Sequence, residues 1–431
     1  MIGREPERKQ LSDMLKIKKA RFLAIYGRRR IGKTYLVNQF FEPKTHFLSV
    51  TGLKDGKLKD QLNIFTKAYA KLFYDGASLT PFSSWQSAFE ALTKRIHQFK
   101  PDKKCVLFLD ELPWLASKRG KLLPTLDHFW NTDWSDNPNF ILIVCGSAAS
   151  WMLKKLIRAK GGLHNRLTDT IQLNPFTLEE TRHFLKASGF RIQAKTVLDT
   201  YMIFGGVPFY LEQLNKSLSL TQNIDALCFK PEALLYEEFQ LLFPALFSNP
   251  EEYMQIIRCI ANHHYGITRD EMLNTLGKNS GGDFNEKLFA LEAAGFIRKH
   301  IPFGHKKKIY RYRITDEYTL FYLKWIEPFK QKGGIAPYWH LVVNTPAYYA
   351  WSGLAFESIC YKNLPLIRKA LSLDNTVCRI SSWNPPRNSR SNAQIDLLID
   401  RDDNTINVCE IKYLNKAYAK NLLNKLNTFE A

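Results

Sequence analysis

No stretch of this sequence is apolar for long enough to cross a bilayer. Its longest clean apolar run, Phe140–Cys145, is far short of the ~20 residues that a spanning helix needs. The opening MIGREPERKQ is charged where a secretory leader is apolar. The expectation is a cytoplasmic protein with no membrane partner. Cysteine is sparse and badly spaced for chemistry. Seven residues, at 105, 145, 228, 259, 360, 378 and 409, make an odd number with no C-x-x-C pair. That spacing excludes a zinc or dithiol site and fits a reducing compartment without disulfides. Several cysteines lie in apolar runs, where a thiol acts as a small hydrophobe. Acid is also in short supply: 41 Asp+Glu against 61 Lys+Arg leave a net charge of +20. A balance of that kind favours a polyanionic partner such as nucleic acid or nucleotide. Internal repeats and low-complexity tracts are missing. Hydrophobic residues at 45% and charged residues at 24% are ordinary for folded protein, and 431 residues leave room for several domains.

The first third alternates short apolar runs with helical spacing. Arg21–Gly27, Thr45–Val50, Cys105–Asp110, Phe140–Gly146 and Thr170–Leu173 read as strands. Near-continuous apolar strands suit a parallel sheet covered on both faces, and the βαβ alternation predicts a doubly wound α/β domain. From Phe176 to Ser248 the pattern is helical and is broken at Gly205-Gly206-Val207-Pro208. Helices at Tyr253–Ala261, Arg269–Leu276 and Phe284–Ala294, followed by alternating runs at Phe296–Pro302 and Tyr310–Ile314, have the order of a winged helix-turn-helix. Between Ala293 and Thr315 stand Arg298, Lys299, Lys306, Lys307, Lys308, Arg311 and Arg313, and no acid. Two readings stay open for them, a solvated hairpin tip and a phosphate-contacting wing. Gln331–Pro337 has the composition of a linker. The predicted division is 1–175, an α/β core; 176–248, a helical lid; 249–330, a winged helix; and 331–431, a small α/β domain.

Gly27-Arg28-Arg29-Arg30-Ile31-Gly32-Lys33-Thr34 matches G-x-x-x-x-G-K-[ST] between a predicted strand and a helical pattern at Tyr35–Phe41. Glycines let the backbone wrap so that its N–H groups face a β-phosphate. Lys33 would bridge β- and γ-oxygens, and Thr34 would offer a hydroxyl to Mg²⁺. Asp110, at the end of CVLFLD, would also hold Mg²⁺, and Glu111 would polarise an attacking water. ATP and Mg²⁺ are the expected ligands. Ser147, after the next strand, reads either as a γ-phosphate reporter or as a helix N-cap. Arg166 reads either as a γ-phosphate sensor, or finger for a neighbouring copy, or as a plain surface arginine.

With IGREPERKQL, YGRRRIGKT, LFLDEL, GSAASWM, NRLTDTIQLNPF and GGVPFYL, residues 1–330 resemble the archaeal-type ATPase family of the AAA+/STAND group. The resemblance implies that Gly3-Arg4-Glu5 opens the domain beside the adenine. It also implies that Gly206-Val207-Pro208 is a lid motif whose Pro208 touches the nucleotide, with a winged helix after it.

The last block opens with a helix (Leu354–Asn363), passes a polar loop (Trp383–Asn392), and ends in strands Gln394–Ile399 and Thr405–Tyr413 and a Lys/Asn-rich helix. A turn centred on Asp403 would pair Asp400 with Ile406 and Leu398 with Val408, which sets Asp396 opposite Glu410. Glu410 and Lys412, two apart on a strand, would share that face. Two close carboxylates repel unless a cation lies between them; Mg²⁺ is the natural one, with Lys412 orienting its water and Glu357 as a third carboxylate. Asp396, Glu410, Lys412 and Glu357 resemble the PD-(D/E)xK nuclease signature. That core usually continues into another strand where this chain stops, so the strand is absent or the copy truncated. The expectation is an ATP-driven, DNA-associated ATPase with a metal-dependent nuclease-like domain. The alternative is a slow nucleotide switch acting through protein partners or a homo-oligomer, with an inactive nuclease-like domain.

Overall fold

A computed structural model describes all residues except 99–102, 118, 158–161, 192, 305–309, 384–393 and 415–431. Lys306, Lys307 and Lys308, most of the polar loop after Trp383, and the Lys/Asn-rich C-terminal helix therefore lie outside the described residues. The chain divides into two compact units that interleave in sequence: Met1–Leu218, Glu237–Ile256 and Asn279–Ile297 form the first, and Ser219–Tyr236, Ile257–Lys278 and Arg298–Ala431 the second.

The first unit is built on five parallel strands, β1 (Arg21–Tyr26), β2 (His46–Thr51), β3 (Cys105–Asp110), β4 (Phe140–Gly146) and β5 (Asp169–Gln172), in the spatial order β2-β3-β4-β1-β5. Every residue of β3 and β4 is buried, because alternate side chains enter two separate cores. Phe22, Ala24, Leu107, Leu142 and Val144 meet one helical layer; Leu23, Ile25, Val106, Phe108 and Ile143 meet the other. This two-sided burial is what the unbroken apolar runs predict. Leu107 has no exposed surface, so Leu107→Ala is expected to cost about 2–5 kcal/mol, read as a lower urea midpoint at unchanged slope. α1 (Glu5–Lys16) precedes the sheet, and α2 (Lys33–Phe41) follows β1. α2 starts two residues ahead of the expected Tyr35, because Lys33 and Thr34 form its first turn; it buries Leu36, Val37, Phe40 and Phe41. Helices Leu178–Ala187, Ala194–Phe204 and Pro208–Leu211 continue this unit. The first of them is held by a reciprocal Thr177–Glu180 capping box.

Helices Pro250–Ala261, Arg269–Leu276 and Gly282–Ala293, then β6 (Ile297–His300) and β7 (Arg311–Ile314), follow in the expected order. Their residues are shared between the two units.

In the second unit, Phe229, Phe321, Trp325, Trp339 and Trp351 form an aromatic cluster whose neighbouring ring centroids lie 5.1–6.2 Å apart. Asp225 Oδ1 accepts the Tyr338 and Trp339 amides (2.8 and 2.7 Å). Helix Pro346–Lys362 begins eight residues before the expected Leu354. Thr345 caps it and Pro346 occupies its first turn, a start signal that the sequence displays. An antiparallel sheet of β8 (Cys378–Trp383), β9 (Ile395–Arg401) and β10 (Ile406–Cys409), in the order β10-β9-β8, closes the described chain. β8 is not among the expected strands; its Ser381 and Ser382 are both buried, and Ser381 pairs with Leu398 of β9. The hairpin register is as predicted, with Asp400 opposite Ile406 and Leu398 opposite Val408. The expected strand to Tyr413 is corrected: β10 stops at Cys409, and Glu410 and Lys412 lie beyond it. The Ile411 amide donates to Asp396 Oδ2 (2.8 Å), a side chain, so the next ladder bond to β9 goes unmade.

Candidate functional site

The carboxyl ends of β1, β3 and β4 meet at one edge of the parallel sheet, where open α/β sheets take their ligands. β1 runs directly into Gly27, whose φ is 149°. A Cβ there would drive into the Leu173 carbonyl oxygen, so only glycine lets the chain turn past β5. Arg30 (φ 69°) and Gly32 (φ 85°) adopt left-handed conformations that deliver the chain into α2 at Lys33. The unpaired amides of that first turn and the helix dipole make this loop an anion cradle.

Lys33 is buried; its Nζ donates to the carbonyls of Gly27 (3.0 Å) and Arg28 (2.7 Å). Its ammonium is thus folded back onto the loop that it serves. Thr34 Oγ1 donates to Asp110 Oδ2 (2.7 Å), and the Glu111 amide donates to Asp110 Oδ1 (3.0 Å). A hydroxyl beside a buried carboxylate is the hard-oxygen pair that Mg²⁺ takes, so the residues present fit that ion. Glu111 has a left-handed backbone (φ 48°), and its Oε2 accepts from both the amide (3.1 Å) and the hydroxyl (3.0 Å) of Ser147. Since β4 lies between β1 and β3, Ser147 stands between the loop and the acid pair. The next helix has Ala148 at its N-cap and no side-chain cap. Of the two readings of Ser147, the capping one therefore finds no bond. Cys145, the last side chain of β4 before Gly146, is fully buried, which raises its thiol far above the ordinary value, so it stays protonated as an apolar filler.

Arg4 ties the N-terminus to the loop. It is almost wholly buried, with Nη2 donating to the Ile31 carbonyl (3.0 Å), Nη1 to the Asn174 carbonyl (2.6 Å), and its guanidinium 4.6 Å from the Phe176 ring centroid. The Phe176 amide donates to the Gly206 carbonyl (2.6 Å), and a Cβ on Gly206 would overlap the Phe176 backbone. Gly3-Arg4, the loop and Gly206-Val207-Pro208 are thereby knit together, with Pro208 buried in the first turn of its helix. Arg166 goes elsewhere: it is exposed, with Nε 3.8 Å from Asp127 Oδ1.

Sequence reasoning missed Tyr210 and Glu238. Arg28 Nη2 donates to the Tyr210 hydroxyl (3.3 Å), which donates to Glu238 Oε1 (2.9 Å). Arg30 Nη2 lies 2.9 Å from Glu238 Oε2, and its guanidinium stacks 4.2 Å from the Phe209 centroid. Arg29, between them, is half-buried. Burial pushes the Glu238 carboxyl above its ordinary value, and Arg30 opposes that shift. The signal was present: Glu238 falls on the apolar face of a helix, between Leu235 and Leu242, where an acid needs a partner. Glu238→Ala is expected to cost about 3 kcal/mol by stranding Arg30, measured by urea unfolding, whereas Gln240→Ala, at an exposed position of the same helix, stays within about 0.5 kcal/mol.

In the second unit, Asp396 accepts from Ile411 N and, through Oδ1, from Gln394 Nε2 (3.2 Å). Glu410 Oε1 is 2.7 Å from Lys412 Nζ, and Glu357 Oε1 accepts from Arg313 Nη1 (2.8 Å). Burial raises the Glu357 carboxyl, opposed by Arg313. Among the described residues, no group of three or more His, Cys, Asp or Glu is gathered closely enough to hold a metal. As placed, Asp396 is engaged by the Ile411 amide and Gln394, Glu410 by Lys412, and Glu357 by Arg313. Of the basic hairpin residues described, Arg298 and Lys299 are exposed. Arg311 donates to the Gly266 carbonyl (2.9 Å) and Arg313 to Glu357.

No described helix is long and apolar enough to cross a membrane. An uncharacterized protein of Methanocaldococcus jannaschii is 27% identical over 391 residues, 89% of this chain and 81% of that one. A Walker-type ATPase of Pyrococcus abyssi superposes with a TM-score of 0.53 at 16% identity, over 75% of this chain and 96% of that one, a likeness of fold. The N-terminal half, residues 1–214, matches the model of an ATPase domain found predominantly in Archaea, and the Gly27–Thr34 loop, Asp110, Glu111 and Ser147 all lie within that match.

Proposed function

We propose that this chain binds ATP with Mg²⁺ at the Gly27–Thr34 loop and hydrolyses it. The observation that carries the reading is the convergence of Lys33, the Thr34–Asp110 pair and the Ser147–Glu111 pair at the ends of three adjacent strands. Loop amides and Lys33 hold the phosphates. Thr34 and Asp110 hold Mg²⁺, which when bound neutralises charge on the phosphate oxygens. Glu111, oriented by Ser147, takes the proton of the attacking water. Arg28 and Arg30, anchored by Tyr210 and Glu238, hold the loop's shape. The roles of Pro208 at the nucleotide and of Gly3-Arg4-Glu5 beside the adenine belong to the same proposal, as does Arg166 as a residue offered to a neighbouring copy. The test is steady-state ATP turnover of wild type and Lys33→Ala, each with and without DNA.

Association with DNA is supported by the net charge of +20 and by exposed Arg298 and Lys299. Salt-sensitive binding is expected, its logarithm falling linearly with log salt. A filter-binding titration with no salt slope contradicts it. A second reading is favoured by one observation, the commitment of Glu357 to Arg313. The second unit then acts as a nucleotide-responsive, nuclease-like module that does not cut. Mg²⁺-dependent plasmid nicking by wild type equal to that of Asp396→Ala is the expected result, and nicking lost in Asp396→Ala overturns it.

A further inference from the structure

The second unit holds a cavity of about 400 Å³ lined by β6–β7, helix Pro346–Lys362 and β8. Its walls are mainly apolar, with Ile260, Ile301, Leu320, Leu354 and Ile380 prominent. Its charged lining is one-sided: Arg298, Lys299, Arg313 and Lys362 against the single acid Glu357. Lys362 is held by Glu317 (2.7 Å). Arg298 and Lys299 are exposed, whereas the Arg313 side chain is largely buried.

Arg313 is pinned by one nitrogen. Its Nη1 donates to Glu357 Oε1 (2.8 Å), while Nε and Nη2 are buried and meet no hydrogen-bond partner among the described residues. These two N–H groups share one edge of a planar guanidinium and point in parallel, the fork that meets two oxygens of a carboxylate or phosphate. A buried donor left unmet is costly, so two on one edge mark a position made for an acceptor. His300 lines the same cavity, its Nε2 buried and without a hydrogen-bond partner among the described residues. Burial, helped by Arg313, Arg311 and Arg298, lowers its imidazole to about 3. The ring is therefore neutral near pH 7, and the positive charge of the fork belongs to Arg313 alone.

We infer that this cavity is a binding site for an amphiphilic anion, a carboxylate or phosphate monoester seated on the Nε/Nη2 edge of Arg313 with its apolar body against the Ile and Leu walls. The volume suits a small organic ligand. The inference is independent of ATP hydrolysis, since none of these residues belongs to the nucleotide site.

Calorimetry on the full-length chain tests it with octanoate, octyl phosphate, 1-octanol and inorganic phosphate. One or both amphiphilic anions should saturate a single site, at least tenfold tighter than the neutral alcohol and than phosphate alone, and the tighter anion identifies the head group. Arg313→Lys keeps an ion pair for Glu357 but removes the fork. It should weaken the anion at least tenfold and leave octanol unchanged. Ile380→Trp fills the cavity and should abolish binding, whereas Lys33→Ala should not alter it. No saturable binding of either anion to wild type at millimolar concentration, anion affinity equal to that of octanol, or full affinity in Arg313→Lys overturns the assignment.

Discussion

Lys33→Ala is expected to lower kcat/KM for ATP hydrolysis by about 10²–10³, the usual effect of removing one preorganised donor from developing phosphate charge. Among the described residues its ammonium donates to the Gly27 and Arg28 carbonyls alone, so no buried acid is stranded by the change. Stability should hardly move, and an unchanged urea midpoint separates lost chemistry from lost fold. Turnover within threefold of wild type would place the activity elsewhere.

Glu111→Gln should show the complementary pattern. The Ser147 amide and hydroxyl bonds are made to Oε2, and glutamine keeps an acceptor there. The fold and ATP affinity are therefore expected to persist. What goes is the base: kcat falls by about 10²–10⁴, and the variant traps ATP. Parallel loss of binding and turnover would show that Glu111 shapes the pocket rather than acting on water. Paired measurements of nucleotide affinity and single-turnover hydrolysis decide between the two.

The parallel sheet was legible because its strands are buried on both faces, and continuous apolar runs such as CVLFLD and FILIVCG leave little else for them to be. The loop was legible because glycine is obligatory where Gly27 passes Leu173. Ser147 was placed correctly at a strand end, but its partner was not readable, since the bond to Glu111 depends on β4 lying between β1 and β3. Glu238 and Tyr210 escaped for a similar reason: their partners Arg28 and Arg30 are about two hundred residues away in sequence. In the second unit the hairpin register followed from the turn, yet the reach of β10 did not. A carboxylate side chain, Asp396, competes for the Ile411 amide, and no periodicity reports that. β8 was missed because two serines interrupt a short strand whose burial comes from β9 rather than from its own composition.

The most direct measurement is calorimetric titration of the full-length chain with ATP and Mg²⁺, beside the same titration of Lys33→Ala. Saturable binding of one nucleotide per wild-type chain is expected, with a strongly weakened isotherm for the variant. A folded wild-type protein that takes up no nucleotide at millimolar ATP, or a variant that binds as tightly as wild type, would contradict it.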